Sequence, residues 1–517
     1  MLHDTPRFHG RMTDVEALMW RLEKDRHLSS TFANVMILDR APDLALLRDR
    51  MNRATAVAPR LRQVVRAAPG GFGSPTWADD PDFDVRWHVR HLALPQPGTM
   101  RQLQDLVALV ASDPFDRARP LWQFTVVDGL LDGRAALIQK LHHTFADGVA
   151  SIALAMHIFD LERSPANRPQ PDADGDLDGD LDADRDARRS TAATNERETT
   201  SSDKPDDGDP IAALLSELAR VPLAMLRDVR DRVADQSMAP REQAAEMLRA
   251  LAAELGDSDS ARSPLWTSRS LRRRMEVLDA PLDEMRLACT ALGGTLNAGF
   301  VTVVAHAAGR YHDTLGAPIE SLRASMAVST RTLDSGANAF ALARLLVPTA
   351  AMPLSERFAA ITESLAVVRE RDHRTGFETL ARLAGLVPTS LLTRIARSQG
   401  QSVDVATSNV RGPEVPLFVA GSKVLALHPL GPLGGAAINV TLIGHDRRFD
   451  MGVHIDEAAV ADPALLLKCL RESVSELCAS APRQTSNPTS ETTATVPGPP
   501  HDPPHDPPAD PPADRPA

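Results

Sequence analysis

Between Asp160 and Pro210 the chain carries 16 acidic and 7 basic residues and too few large apolar ones to build a core. At the centre of this stretch, Asp172–Asp186 reads DADGDLDGDLDADRD. A segment of this kind cannot bury enough surface to offset the entropy lost on ordering, so it is expected to be a solvated tether. That fixes the plan of everything else. An N-terminal domain is expected over 1–159, an acidic disordered linker over 160–210, a C-terminal domain over 211–483 and a disordered Pro/Asp-rich tail over 484–517, where HDPPHDPPADPPADRP favours extended polyproline conformation. The tether has an r.m.s. span of roughly 40 Å, enough to cross one face of a domain. The aspartate repeat is not a calcium loop. An EF-hand needs glutamate at position twelve, and twelve residues from Asp172 stands Ala183.

The charge of the whole chain, −12, misleads unless it is divided. The linker holds −9 and the tail −4, which leaves the other 432 residues at +1. A nearly neutral body argues against nucleic acid as a partner. No apolar run reaches the ~18 residues that a membrane-spanning helix needs. The N-terminus, Met1-Leu-His-Asp-Thr-Pro-Arg, lacks the pattern of a signal peptide. Three scattered cysteines, Cys289, Cys469 and Cys478, make neither a disulfide framework nor a zinc site. No metal is expected, and a reducing cytoplasm is the natural compartment.

Periodicity on both sides of the linker reads as α/β. Thr31–Leu38, His88–Leu94, Trp122–Val127 and Arg134–Leu141 have strand character, the last two joined by a turn from Asp128-Gly129 to Asp132-Gly133. Met100–Ala111 is amphipathic at the helical period. Beyond the linker, helices are expected at Ile211–Val233, Gln243–Leu255, Leu282–Leu292, Asn297–Tyr311 and Pro463–Ala479. Strands are expected near Met275–Leu278, Ser325–Val328, Val403–Thr407, Ala437–Ile443 and Phe449–His454.

The chemistry concentrates in one place. The apolar run ALIQKLHHTFADGVA, starting at Ala136, ends in His142 and His143 and continues through Thr144 to Asp147 and Gly148. Strand alternation sends the two imidazoles to opposite faces, so one can enter a cleft while the other packs. A histidine near neutrality is suited to taking a proton from a hydroxyl and returning it to a leaving thiolate. Asp147 can fold back to fix the loop, and Gly148 permits close backbone approach. A pair of ordinary histidines at a strand end is the bland alternative, and the complete His-His-x-x-x-Asp-Gly spacing weighs against it. Other catalytic patterns are missing from the sequence: no Gly-x-Ser-x-Gly elbow, phosphate loop, dinucleotide fingerprint or zincin motif.

This spacing resembles the catalytic motif of the coenzyme-A-dependent acyltransferase superfamily. Pro114-Phe115-Asp116-Arg117-Ala118-Arg119-Pro120-Leu121-Trp122, the stretch Pro75–Asp84, His88-Val89-Arg90 and Ser408-Asn409-Val410-Arg411-Gly412-Pro413 narrow it. Together they are similar to the bacterial wax ester synthase/acyl-CoA:diacylglycerol acyltransferase family, from about Met12 to Ala479. Two motifs depart from that pattern. Where the family has Asn-Asp, this chain has Asn297-Ala298, and Pro-Val-Ser-x-Arg becomes Ala327-Val328-Ser329-Thr330-Arg331.

The resemblance implies two chloramphenicol-acetyltransferase-like α/β (α+β) domains with the active-site channel between them. It implies O-acyl transfer from acyl-CoA to diacylglycerol or a long-chain alcohol, without a covalent acyl-enzyme. His143 would be the general base, His142 a supporting residue, Asp147 the loop-orienting residue and Gly148 a backbone element of the motif. Pro120, Leu121, Trp122, Asn297, Ser408 and Asn409 are the candidate substrate-binding positions. Acyl-CoA is implied as co-substrate, with no bound cofactor. A catalytically weak lipid-binding member, or a condensation-type N-acyltransferase acting on amines, are the other readings. The lipophilic substrates suggest a cytoplasmic enzyme attached peripherally to the plasma membrane's inner face or to lipid bodies, with Ile211–Val233 as the best candidate contact. Pro222, Asp228 and Asp231 weigh against it, and packing of that face on its own domain is the favoured alternative.

Overall fold

The computed structural model describes residues 10–67, 74–144, 158–164, 263–329, 340–370 and 389–481. The first part runs α1 (Asp14–Leu22), β1 (Thr31–Leu38), α2 (Leu44–Val57), β2 (Gln63–Arg66), β3 (Thr76–Asp79), the single turn α3 (Val85–His88) and β4 (Val89–Ala93). It continues with α4 (Met100–Ser112), β5 (Trp122–Asp128), β6 (Ala135–His142) and β7 (Phe159–Asp160). The second part runs β8 (Arg273–Pro281), α5 (Leu282–Ala291), α6 (Leu296–Thr314), β9 (Ser321–Ser329), β10 (Phe340–Pro348), α7 (Leu354–Glu370) and α8 (Thr389–Gln401). It closes with β11 (Val405–Val410), β12 (Phe418–Val419), β13 (Ser422–Leu430), β14 (Ile438–His445), β15 (Arg448–Asp456) and α9 (Pro463–Ala479).

Two sheets carry the molecule. The first has the order β4-β5-β6-β1-β13-β12-β7, the second β10-β9-β11-β14-β15-β8. In the first, β6 lies antiparallel to both β1 and β5 and is buried at all eight positions. The cause is cover on both faces. Leu47, Met51 and Ala54 of α2 pack with Met36, Leu38 and Leu137 on one side. Leu103 and Val107 of α4 pack with Val35, Ile37 and Ile138 on the other. A strand covered twice reads as an unbroken apolar run rather than an alternation. The β5–β6 turn falls where Gly129 and Gly133 stand in the sequence, and both take positive φ, 85° and 70°. In the second sheet, α6 is buried along most of its length between the strands, α7 and α9. No single described helix is long and apolar enough to cross a membrane, and the α5–α6 pair that passes by composition is bent by 96°.

Two features depart from the plan read off the sequence. First, β12 and β13 come from the C-terminal part yet complete the N-terminal sheet, with β13 paired along β1 from Ala33↔Leu430 to Leu38↔Val424. Asp450 of β15 reaches across to accept the Leu427 amide at 2.8 Å, and Arg101 of α4 bonds Glu276 at 2.7 Å and the Met275 carbonyl at 3.2 Å. Second, the chain leaves the first sheet later than the acidic composition suggests. Asp160 is buried as the ion-pair partner of Arg50, and Arg163 donates to the Gly421 carbonyl at 2.9 Å. The rest of the linker, the expected helices Ile211–Val233 and Gln243–Leu255, and the tail lie outside the described residues.

Candidate active site

β6 delivers the two histidines, and their backbones are gripped from both sides. The His143 amide donates to the Ser30 carbonyl at 3.1 Å, just ahead of β1. The His142 amide donates to the Leu121 carbonyl at 3.1 Å, just ahead of β5. The Pro-Leu-Trp stretch therefore meets the His-His stretch through the main chain.

His142 points into the interior and is 1% exposed. Its Nδ1 accepts from the Thr144 amide at 3.2 Å and lies 2.8 Å from Thr144 Oγ1, while Nε2 lies 3.0 Å from Glu23 Oε2. A ring nitrogen that accepts from an amide carries no proton. The neutral ring is therefore the Nε2–H tautomer, donating to the carboxylate. Glu23, one residue past the end of α1, also accepts from Ser29 Oγ at 2.6 Å and from the Ser30 amide at 2.8 Å. Burial pushes its carboxyl pKa up. The His142 hydrogen bond and electrostatic pull, with the bonds from Ser29 and Ser30, outweigh that and hold it below the usual range. Glu23 was not among the residues singled out by sequence, where it stands at the end of Val15–Glu23, a stretch with apolar residues at helical spacing.

His143 takes the other face, half-buried, with its ring 4.6 Å from that of Phe32. Burial, then the neighbouring His142, lowers its pKa to about 4, against a smaller upward pull from Glu23. It is neutral at physiological pH and so has a lone pair to accept a proton. Asp147 and Gly148 lie outside the described residues.

All three Pro-Leu-Trp positions, Pro120, Leu121 and Trp122, are buried, the last two to 1% exposure each. Trp122 Nε1 donates to the Leu61 carbonyl at 2.9 Å, and its ring stacks on His88 at 4.4 Å. Side chains so enclosed cannot line an open binding surface. The enclosure of Pro120, Leu121 and Trp122 points instead to a bracing role at the strand end. Lys140, two residues before His142 on β6, pins the same loop. Its buried Nζ donates to the Asp113 carbonyl at 2.6 Å and lies 4.6 Å from the centre of the Phe115 ring. Burial lowers its pKa to about 8.

The second-half candidates gather on the other sheet. Asn297 sits in the first turn of α6, and its Oδ1 accepts from Asn409 Nδ2 at 3.4 Å. Asn409 is exposed at the end of β11, and Ser408 before it is half-buried. Gly412 follows where a Cβ would stand 2.0 Å from the Gly444 carbonyl oxygen, so only glycine allows that approach. Ala298, where the family pattern has an acid, is 1% exposed within the apolar core. A carboxylate there would have to be desolvated, and alanine instead packs. α8, which precedes β11, packs on α1, with Arg397 paired to Asp25 at 3.4 Å.

Among the described residues no group of His, Cys, Asp and Glu could hold a metal ion, and the three cysteines are free, Cys289 and Cys469 buried. A second Ser–His contact, Ser263 Oγ to His312 Nε2 at 2.6 Å, is sealed in the core, where Ser263 Oγ also accepts the Leu265 and Trp266 amides.

Comparison with known proteins agrees with this arrangement. The family model described as the wax ester synthase/diacylglycerol acyltransferase catalytic domain matches residues 12–300, and the corresponding C-terminal domain matches 336–478. A relative from Mycobacterium tuberculosis (strain H37Rv) bearing the name diacylglycerol O-acyltransferase is 29% identical over 490 residues, covering 92% of this chain and 94% of its own. The solved wax ester synthase/diacylglycerol acyltransferase from Marinobacter aquaeolei VT8 superposes with a TM-score of 0.60 at 23% identity, over 91% of this chain and 99% of that one. A starter condensation domain of rhizomide synthetase, solved with C8-CoA, gives a TM-score of 0.52 at 12% identity, over 91% of this chain and 94% of its own. The likeness to these structures establishes a shared two-domain acyltransferase fold, and the matched domains, which take in both the histidine pair and the asparagine pair, show that the chain belongs to the wax ester synthase/diacylglycerol acyltransferase family.

Proposed function

We propose that the chain transfers a long-chain acyl group from acyl-CoA to the hydroxyl of diacylglycerol or of a long-chain alcohol, with His143 as general base. The observation that carries this reading is the placement of His143: its backbone is fixed to Ser30, and its half-buried ring lies beside Phe32 at the end of β6, on the face opposite the enclosed His142. His143 takes the acceptor's hydroxyl proton as the oxygen attacks the thioester carbonyl carbon. The tetrahedral oxyanion collapses, the C–S bond breaks, and the thiolate takes that proton from the imidazolium. The products are the ester and free CoA, with no acyl-enzyme. An imidazolium near pKa 4 gives its proton readily to a thiolate.

Acyl-CoA as donor is supported by the C8-CoA held by the condensation-domain neighbour, and the hydroxyl acceptor by the name of the M. tuberculosis relative. Asn297 and Asn409 are proposed to contact the substrate from the second sheet, since they are paired and Asn409 is exposed. The enzyme is proposed to collect its poorly soluble acceptor at a lipid surface. Purified protein incubated with labelled acyl-CoA and a panel of diacylglycerol, long-chain alcohol and amine acceptors tests the reading. Ester formed by the wild type and reduced by ~10²–10⁴-fold in His143→Ala is expected. Amide as the sole product would instead make it a condensation-type enzyme.

A further inference from the structure

The geometry points to Glu23 as a positioning residue for acyl transfer: its carboxylate locks His142 in one tautomer and, through the Ser29–Ser30 turn, fixes the backbone that carries His143. This rests on His143 being the base.

Three donors converge on Glu23 from two parts of the chain. Ser29 Oγ and the Ser30 amide come from the turn before β1, and His142 Nε2 from the end of β6, 119 residues away. The side chain therefore ties the start of β1 to the end of β6, which are paired at Thr31↔His142. Each tie continues to His143. On one side, the turn that Glu23 holds presents the Ser30 carbonyl that receives the His143 amide, and Phe32, two residues on, carries the ring against the His143 imidazole. On the other side, with Nε2–H given to Glu23, His142 Nδ1 is free to accept the Thr144 amide, which shapes the turn just after His143.

The carboxylate is itself held in place. Glu23 follows directly on α1, whose N-terminus is closed by the Thr13–Glu16 capping box and whose Leu18, Met19 and Trp20 are buried. The buried ammonium of Lys140, on the same face of β6 as His142, attracts it. Without an acceptor at position 23, the His142 Nε2–H would be buried unpaired. The ring would then favour the Nδ1–H form, which opposes the Thr144 N–H, and both supports of His143 would loosen together. Misplacement of a reacting group by a fraction of an ångström lowers turnover without much changing substrate affinity.

The test uses full-length protein in five forms: wild type, His143→Ala, His142→Ala as the reference for signal assignment, Glu23→Met, which keeps the length but removes the acceptor, and Glu23→Gln, which keeps an acceptor oxygen. The readouts are kcat, KM for acyl-CoA, the melting temperature and the imidazole nitrogen NMR signals of His142, assigned by their loss in His142→Ala. Glu23→Met is expected to lower kcat by roughly 10- to 100-fold with KM changed by less than about threefold, and Glu23→Gln to restore most of that kcat. Wild-type His142 is expected as the Nε2–H tautomer. A Glu23→Met enzyme within about twofold of wild-type kcat, while His143→Ala is inactive, overturns the positioning role and leaves the general-base reading standing. Equal losses in the Gln and Met variants also overturn it. An active His143→Ala enzyme defeats the general-base reading itself. An Nδ1–H tautomer for His142 in the wild type overturns the inference whether or not the variants fold.

Discussion

An imidazole held near a pKa of about 4 stays unprotonated far into the acid range. The acid limb of kcat/KM for this enzyme is therefore expected near pH 4 rather than near the 6.5 of an ordinary histidine. A pH–rate profile with an acid limb at 6 or above would contradict the burial of His143. Stability follows the same sign. His428 and His454, like His143, are pushed down to about 4 by burial. As the pH falls below 6.5, the unfolded chain takes up protons that the folded chain refuses. The stability tied to these groups is present above 6.5 and is lost on the way down to 4, at up to ~1.4 kcal/mol per pH unit for each. Asp450 runs the opposite way. Burial raises it to about 6, so its contribution is present below 3.8 and lost as the pH rises through 6. Denaturant unfolding between pH 7 and 4.5 is expected to show falling stability, and His428→Gln to flatten the slope. The residue scale is also where the sequence was least readable. The histidine pair stood out because both members sit side by side at the end of an apolar strand. Glu23 did not, because what makes it functional is a partner 119 positions away.

At the scale of elements, the Pro-Leu-Trp stretch acts through its packing and main chain rather than through its surface. Trp122 fills the space between His88 and Phe124 and donates to Leu61. Trp122→Ala is expected to cost ~3–5 kcal/mol, and Trp122→Phe, which keeps most of the volume but strands the Leu61 carbonyl, ~1–3 kcal/mol. Chemical denaturation measures both, and a loss of activity with unchanged stability would restore a substrate-contact role. Elements with strong local signals were legible. The closing helix expected at Pro463–Ala479 has those bounds in the structure, where Asp462 caps it and a proline sits at its first position. The buried run of β6 announced itself by composition. α2 did not, since Arg48, Asp49, Asn52 and Arg53 crowd its middle and its buried side includes Arg50, whose charge is met by Asp160 from far along the chain. β13 was missed for a different reason: its place is set by long-range pairing with β1, which no local pattern encodes.

For the whole molecule, the two sheets are joined by β13 and by the few polar ties around it. Asp450, wholly buried, accepts the Leu427 amide and is flanked by Arg448 at 3.0 Å. Asp450→Ala leaves that amide without its acceptor, and a loss of ~1–3 kcal/mol is expected in equilibrium unfolding. Asp450→Asn, which still accepts, should lose less. Shortening Asp172–Asp207 while keeping about 20 residues is expected to leave activity unchanged, because each halving of a flexible loop alters closure entropy by only about 0.6 kcal/mol. A strong loss would mean that the acidic run touches the body or a partner.

The borrowed strand has a consequence for any attempt to cut this protein in two. A fragment ending near residue 164 would contain the histidine pair but not β13, so one side of β1 would present a row of unpaired amides and carbonyls from Ala33 to Leu38. An open edge of that kind in the middle of an apolar sheet is a template for aggregation. The two pieces made together would instead find each other, because each can complete the other only by strand complementation. The catalytic domain is thus not a transplantable module: it can be inherited, exchanged or engineered only with the strand that its partner half supplies.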